Sequence, residues 1–303
     1  MSNTVKPTPI SSRRRAVENN GSRILKNWQL ECLAKQGTFT NLYFARPLGC
    51  TPDWPADYAV KMLKPPYDRD PLTINLLRRE AEVGRHLSDP NLVPILESNT
   101  ESDPYYLVMP RLSGASLKEA ISSVGRIAVP QALWITRQVA QALKKMHAQG
   151  WIHADVKPSN IVVSLEGHAT LIDFGCALTN EESFYSLDRP VVGTLHYISP
   201  EMVTSKLRTD CRCDIYSLGV TLFEMLSGKL PFQYSDQGEL IQAHINEIPA
   251  DLHEVSKDIP ATVANLVNRM LAKEPLRRPQ TANELIATLA DLELELLDSR
   301  FVA

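Results

Sequence analysis

From Trp28 to Met109 apolar and polar residues alternate in short runs, and this period of two predicts strands over 28–35, 40–46, 57–63, 92–98 and 105–109. One stretch breaks the alternation. Leu72, Leu76, Val83 and Leu87 recur at helical spacing, so a helix over 72–87 is expected to lay an apolar face across a five-stranded antiparallel sheet. The Pro-rich stretch 47–55 reads as a loop between strands. Beyond Ser113 the pattern turns mostly helical. Residues 130–149 repeat Ile135, Val139, Leu143 and Met146, with Pro130 in the first turn and Gly150 just past the end. Residues 214–227 are apolar nearly all round, as a helix buried in the middle of a second, larger lobe would be, and Gly228 closes the run.

The chain's 303 residues, 44% of them apolar, suffice for two lobes with a sizeable core. Residues 1–26 fall outside the picture: Arg13, Arg14 and Arg15 sit among prolines and polar residues without periodicity, which reads as a flexible arm. A net charge of −3 leaves no electrostatic footprint for nucleic acid or an anionic membrane, so partners have to be argued from a site. Five scattered cysteines are unlike a secreted disulfide framework and point to reduced thiols in a cytoplasmic setting. Cys211 and Cys213, one residue apart, lack the second pair or the histidine spacing that zinc requires. No run approaches the length of a membrane span, and the N-terminus has no apolar signal core.

The chemistry is concentrated further along. His153-Ala154-Asp155-Val156-Lys157-Pro158-Ser159-Asn160 precedes a strand-like 161–163, a turn, a second apolar run and then Asp173-Phe174-Gly175. Upstream lie Ala59-Val60-Lys61 on the third strand and Arg79-Glu80-Ala81-Glu82 on the helix; downstream lie Gly193 to Glu201 and Arg277-Arg278-Pro279. An isolated Asp-Phe-Gly is an ordinary turn, and an isolated strand lysine an ordinary solvated face. In this order and spacing the chain resembles the eukaryotic-type protein serine/threonine kinases in their bacterial form, over about residues 28–290.

The resemblance implies the bilobal kinase fold, of class α+β, with a small lobe over about 27–110, a hinge at 110–113, a large lobe over about 114–295 and a tail at 296–303. It implies ATP and Mg²⁺ as cofactors, protein substrates with Ser or Thr acceptors, and the following roles. Asp155 would be the catalytic base, Lys157 would reach the γ-phosphate, and Asn160 and Asp173 would hold Mg²⁺. Lys61 would grip the α- and β-phosphates and pair with Glu80, chosen over Glu82 because it stands seven residues before Leu87, as in the family. Thr194 would bridge Asp155 and Lys157, and both Thr194 and Lys157 match the serine/threonine branch. Gly37 would remain of the glycine-rich loop; Leu33, Ala59 and Val162 would enclose adenine; Met109 would be the gatekeeper, with Arg111 and Leu112 in the hinge. Glu201 would pair with Arg278 in the core, and Asp214 would hold the catalytic loop.

The sequence also departs from the family. Lys35 and Thr40 occupy two glycine positions of the phosphate loop, which should loosen the clamp. Gly84, four residues after Glu80, stands where the family buries an apolar side chain, and so would fill nothing. Ala154 replaces the arginine that in regulated kinases awaits an activation-segment phosphate, so phosphorylation is expected to be dispensable, although Ser183, Tyr185 and Ser186 are available as autophosphorylation acceptors. The damaged loop keeps open the alternative of a pseudokinase, a nucleotide-binding scaffold without transfer. A small-molecule phosphotransferase would lack the 193–201 segment and Asp214.

Overall fold

Lys26 and Asn27 turn the chain between two short runs that share Leu25, Trp28 and Leu30 on one apolar face, and this hairpin starts the sheet. The computed structural model describes residues 23–51, 53–183, 194–204 and 209–301. Strands β1 (Arg23–Leu25), β2 (Trp28–Gln36), β3 (Thr40–Pro47) and β4 (Tyr58–Leu63) lead to helix α1 (Pro71–His86), followed by β5 (Glu97–Asn99) and β6 (Tyr106–Pro110). They form one antiparallel sheet in the order β1-β2-β3-β4-β6-β5. The sheet thus has one strand more than the pattern predicted, and β1 falls within the expected arm. Its pairing with β2, Arg23 opposite Leu30 and Leu25 opposite Trp28, is what orders it.

The helix buries Val83 and Leu87 as expected, but the rest of its packed face is shifted. Leu72 is exposed and Leu76 half-buried, whereas Thr73, Leu77, Glu80, Ala81, Val83 and Gly84 are buried. Asp70 caps the helix through the Leu72 and Thr73 amides, and Pro71 occupies its first turn. The predicted strand 92–98 shrinks to β5. Leu92 and Val93 are apolar because they are buried against the large lobe: Val93 donates its N–H to the Leu171 carbonyl, and Leu171 donates to Asn91.

Gly84 is the clearest correction. A β-carbon there would lie 2.3 Å from Cγ1 of Ile95, and the Ile95 amide donates to the Gly84 carbonyl. The space is therefore filled, from the following loop instead of from the helix. We predict that Gly84→Ala destabilises the protein by about 1–3 kcal/mol through overpacking, more than its gain of about 1 kcal/mol in helix propensity. Adding Ile95→Ala should relieve the clash, and denaturant melts of the single and paired variants would show whether it does.

The large lobe follows: β7 (Ala115–Ser116), α2 (Leu117–Val124), α3 (Val129–Ala148), β8 (Trp151–Ile152), β9 (Ile161–Val163), β10 (Ala169–Leu171), β11 (Leu178–Thr179), α4 (Pro200–Val203), α5 (Arg212–Ser227), α6 (Gln237–Asn246), α7 (Leu252–Val255), α8 (Ala261–Met270) and α9 (Ala282–Phe301). Helix α5 is buried on nearly every side and ends at Gly228 in the left-handed conformation. Helix α9 runs through residues 296–301, where a tail was expected, because buried Leu292 and half-buried Leu296 extend its apolar face. No helix among the described residues is long and apolar enough to cross a membrane.

Candidate active site

The site lies between the sheet and the large lobe, and the small-lobe side is built on β4 and α1. Lys61, opposite Leu107 and Leu42 in the sheet, reaches inward and donates from Nζ to Glu80 Oε2 at 2.6 Å and to Asp173 Oδ1 at 3.1 Å. Burial works against the Lys61 charge, but Asp173 and then Glu80 outweigh it and raise its pKa. Partial burial works against the Asp173 charge as well, and Lys61 outweighs it and holds the carboxyl below the usual range. Glu80 is 3% exposed, whereas Glu82 is on the surface, 3.6 Å from Arg79.

The large-lobe side is the loop between β8 and β9. Asp214, at the start of α5, accepts from the His153 amide at 2.9 Å and the Ala154 amide at 2.8 Å, and its carboxylate lies 2.8 Å from His147 Nε2 on α3. Burial alone would raise the Asp214 pKa, but the His147 contact outweighs it. Held this way, the loop takes up positive φ at Ala154, 62°, and presents Asp155. Asp155 Oδ2 accepts from Lys157 Nζ at 2.6 Å and Asn160 Nδ2 at 2.9 Å. Lys157 donates also to Thr194 Oγ1 at 2.8 Å, and the Thr194 amide approaches Asp155 Oδ1 at 3.4 Å. Beneath them, buried His153 meets Phe174 edge to face.

Asn160 uses its amide nitrogen on Asp155, its carboxamide oxygen, 3.5 Å from the Ser159 hydroxyl, is a hard ligand atom, and Asp173 has a carboxylate side chain 43% exposed to the cleft. Among the described residues no three acidic, histidine or cysteine side chains converge into a cage. Two oxygen ligands suit Mg²⁺, which takes few protein ligands and fills its octahedron with water and phosphate oxygens. Among the described residues Cys211 and Cys213 join no group of three candidate ligands, and Cys213 is buried and held neutral by that burial.

The nucleotide positions line up less uniformly. Ala59 and Met109 are buried neighbours on β4 and β6, Val162 is half-buried on β9, and Leu33 is 39% exposed at the cleft rim. The Arg111 side chain does not enter the cleft. It lies over the Phe44 ring, 3.9 Å from the centroid, and its amide donates to Asp57. Half-buried Leu112 follows, and among the described residues neither its N–H nor its carbonyl meets a protein partner. The chain then passes so close to β9 that a β-carbon on Gly114, at φ 116°, would come within 2.1 Å of the Val163 carbonyl oxygen.

The phosphate loop is better braced than its composition suggests. Gly37 donates to the Thr40 carbonyl and its own carbonyl accepts from Lys64 Nζ, both at 2.8 Å, while Phe39 packs edge-on against Tyr67. Lys35 and Thr40 sit in strand pairing opposite Leu42 and Leu63 with ordinary φ, so neither position calls for glycine's freedom. Ser183 is buried, its hydroxyl donating to the Asn180 carbonyl, and in this arrangement it is no acceptor; Tyr185, Ser186 and Gly193 lie outside the described residues.

Sequence reasoning missed His147, His153 as the seat of Phe174, and the pairing of Arg79 with Glu182 at 2.6 Å. The only signal for His147 was its place on the helix preceding the loop, and for Arg79 its place beside Glu80.

Residues 49–288 match the protein kinase domain family. A probable serine/threonine-protein kinase of Clostridium perfringens is 35% identical over 235 residues, covering 78% of this chain and 34% of that protein. The serine/threonine-protein kinase PrkC of Bacillus subtilis is 31% identical over 269 residues, 89% of this chain and 41% of its own. PknE of Mycobacterium tuberculosis is 36% identical over 230 residues, 76% of this chain and 40% of its own. The aligned region thus spans well under half of these relatives.

Proposed function

The chain belongs to the protein kinase domain family, and from that premise we propose that it transfers the γ-phosphate of ATP to Ser or Thr hydroxyls of protein substrates, with Mg²⁺. The observation that carries this reading is Lys61 joined at once to Glu80 and Asp173, because that junction ties the sheet, helix α1 and the metal-binding position into one charged centre. Lys61 binds the α- and β-phosphates and orients them. Asp155 accepts the proton of the substrate hydroxyl as its oxygen bonds to the γ-phosphorus and the bond to the β–γ bridging oxygen breaks, the electron pair leaving on ADP. Lys157 sits beside Asp155 and offsets charge on the phosphoryl group being transferred, and Thr194 fixes Lys157 and Asp155 relative to each other. Asp173 and the Asn160 oxygen would hold Mg²⁺, which would supply positive charge against the phosphates. Ala59, Val162 and Leu33 would enclose adenine with the Leu112 backbone at its edge, and Gly37 would cover the phosphates. The Arg111 side chain has no part in this. The catalytic unit runs from about residue 23, where β1 joins the sheet, with the hinge at 110–113, through the large lobe. A cytoplasmic location suits the five free cysteines.

The test is labelled ATP and Mg²⁺ offered with a generic basic protein and with the chain itself, beside an Asp155→Asn control. Transfer by the wild type, reduced at least about 100-fold in the control, is expected. Equal transfer by the control would remove Asp155 from its role. Nucleotide binding without any transfer would establish the pseudokinase instead.

A further inference from the structure

Adjacent residues of helix α1 face two different parts of the large lobe. Glu80 points inward to Lys61, while Arg79, about 100° around the helix, reaches the segment beyond Gly175. Arg79 donates from one guanidinium nitrogen to Glu182 Oε1 at 2.6 Å, and its guanidinium lies 5.1 Å from the centre of the Trp151 ring. The second Glu182 oxygen accepts from the Thr179 amide at 2.9 Å, and the Thr179 hydroxyl accepts from the Glu182 amide at 3.1 Å, a reciprocal box that fixes the carboxylate. Thr179 and Trp151 are themselves register partners in the ribbon of β11 and β8. One guanidinium therefore touches β8 at Trp151 and reaches β11 through Glu182 and its Thr179 box, in a ribbon that enters the catalytic loop on one side and leaves the Asp173 turn on the other. The ion pair is three-quarters buried, at 23% and 28% side-chain exposure, so its charges are desolvated more than those of a surface pair.

We propose that Arg79 is a positioning residue, latched by Glu182 and Trp151, that holds helix α1 where Glu80 can meet Lys61, and that this built-in carboxylate does so without any phosphate on the segment. The proposal rests on the kinase reading. Beside Asp155 the catalytic loop brings Ala154 and no arginine of its own, while Arg79 on the helix pairs with Glu182 beyond Gly175. Losing the latch frees α1 to move away from the ribbon, which parts Glu80 from Lys61 and leaves Lys61 poorly aimed at the phosphates. The affected quantity is turnover, not the integrity of the fold.

The experiment uses the chain freed of phosphate by a phosphatase. Transfer to a basic protein is measured for wild type, Arg79→Ala, Arg79→Lys, Glu182→Gln, the Arg79→Ala, Glu182→Gln double variant, and Glu82→Gln as control, with amide hydrogen exchange over residues 71–86. Arg79→Ala and Glu182→Gln should each lower kcat about tenfold with an unchanged melting temperature. The double variant should be no slower than the slower single one, because either change alone breaks the latch. Arg79→Lys, which keeps charge but loses the planar fork, should fall between, and Glu82→Gln should match wild type. Exchange in α1 should quicken in the latch variants only. Arg79→Ala within twofold of wild type, additive losses, or an equal loss in Glu82→Gln would each overturn the proposal. If wild type transfers nothing, the kinase reading fails, and the latch is still judged by exchange: unchanged protection of α1 in Arg79→Ala would sink it as well.

Discussion

Lys61→Met and Asp173→Ala should each lower phosphoryl transfer at least about 100-fold while the protein remains folded, because on the proposed reading both residues act through charge at the phosphates and metal and not through packing. Methionine fills much of the space of the lysine stem between Leu42 and Leu107. Glu80 then loses its counter-charge, but burial already pushes its carboxyl up against the pull of Lys61, so in the variant it takes a proton and no charge is stranded. The Asp173 side chain is 43% exposed, and truncating it leaves Lys61 still paired with Glu80. Circular dichroism checks the fold and single-turnover transfer checks the rate. A variant that kept more than about one tenth of the wild-type rate would show that its residue is not at the reacting phosphate.

The second large effect is on stability. Glu201 and Arg278 are both fully buried and joined by two hydrogen bonds, at 2.6 and 2.8 Å. Arg278 spends its remaining donors on the carbonyls of Ala272, Arg212 and Lys273, and its guanidinium faces the Tyr216 ring at 4.8 Å. Arg278→Ala or Glu201→Ala should each cost about 3–5 kcal/mol, because the survivor is left buried without its counter-charge. In a chain of this size that corresponds to a drop in melting temperature on the order of 10 °C. Replacing both at once, Glu201→Leu with Arg278→Met, should recover a large part of the loss, since no charge is then stranded. A melting temperature for Arg278→Ala within about 2 °C of wild type would mean that the pair contributes little.

What the sequence determined by itself was whatever rests on local spacing. The loop from His153 to Asn160, the Asp173 turn, the lysine of the third strand and the period switch from sheet to helix are runs of neighbouring residues whose chemistry is carried by type and order. The element boundaries of β2, β3, β4, α3 and α5 fall within a few residues of the pattern for the same reason.

What only the tertiary structure decided are matters between segments far apart in the chain. Leu92 and Val93 read as strand, yet they are apolar to meet Leu171. Gly84 read as a hole, yet Ile95 fills it, and helix periodicity cannot register a side chain arriving from a later loop. Arg111 reads as a hinge residue, and only the structure lays its side chain on Phe44, since a cation finds a partner wherever an aromatic face is presented. Arg79 and Glu182 are more than a hundred positions apart, and charged residues are so common along a chain that no spacing rule marks such a pair. Burial and partnership depend on three-dimensional proximity, which a one-dimensional period records only within a single element.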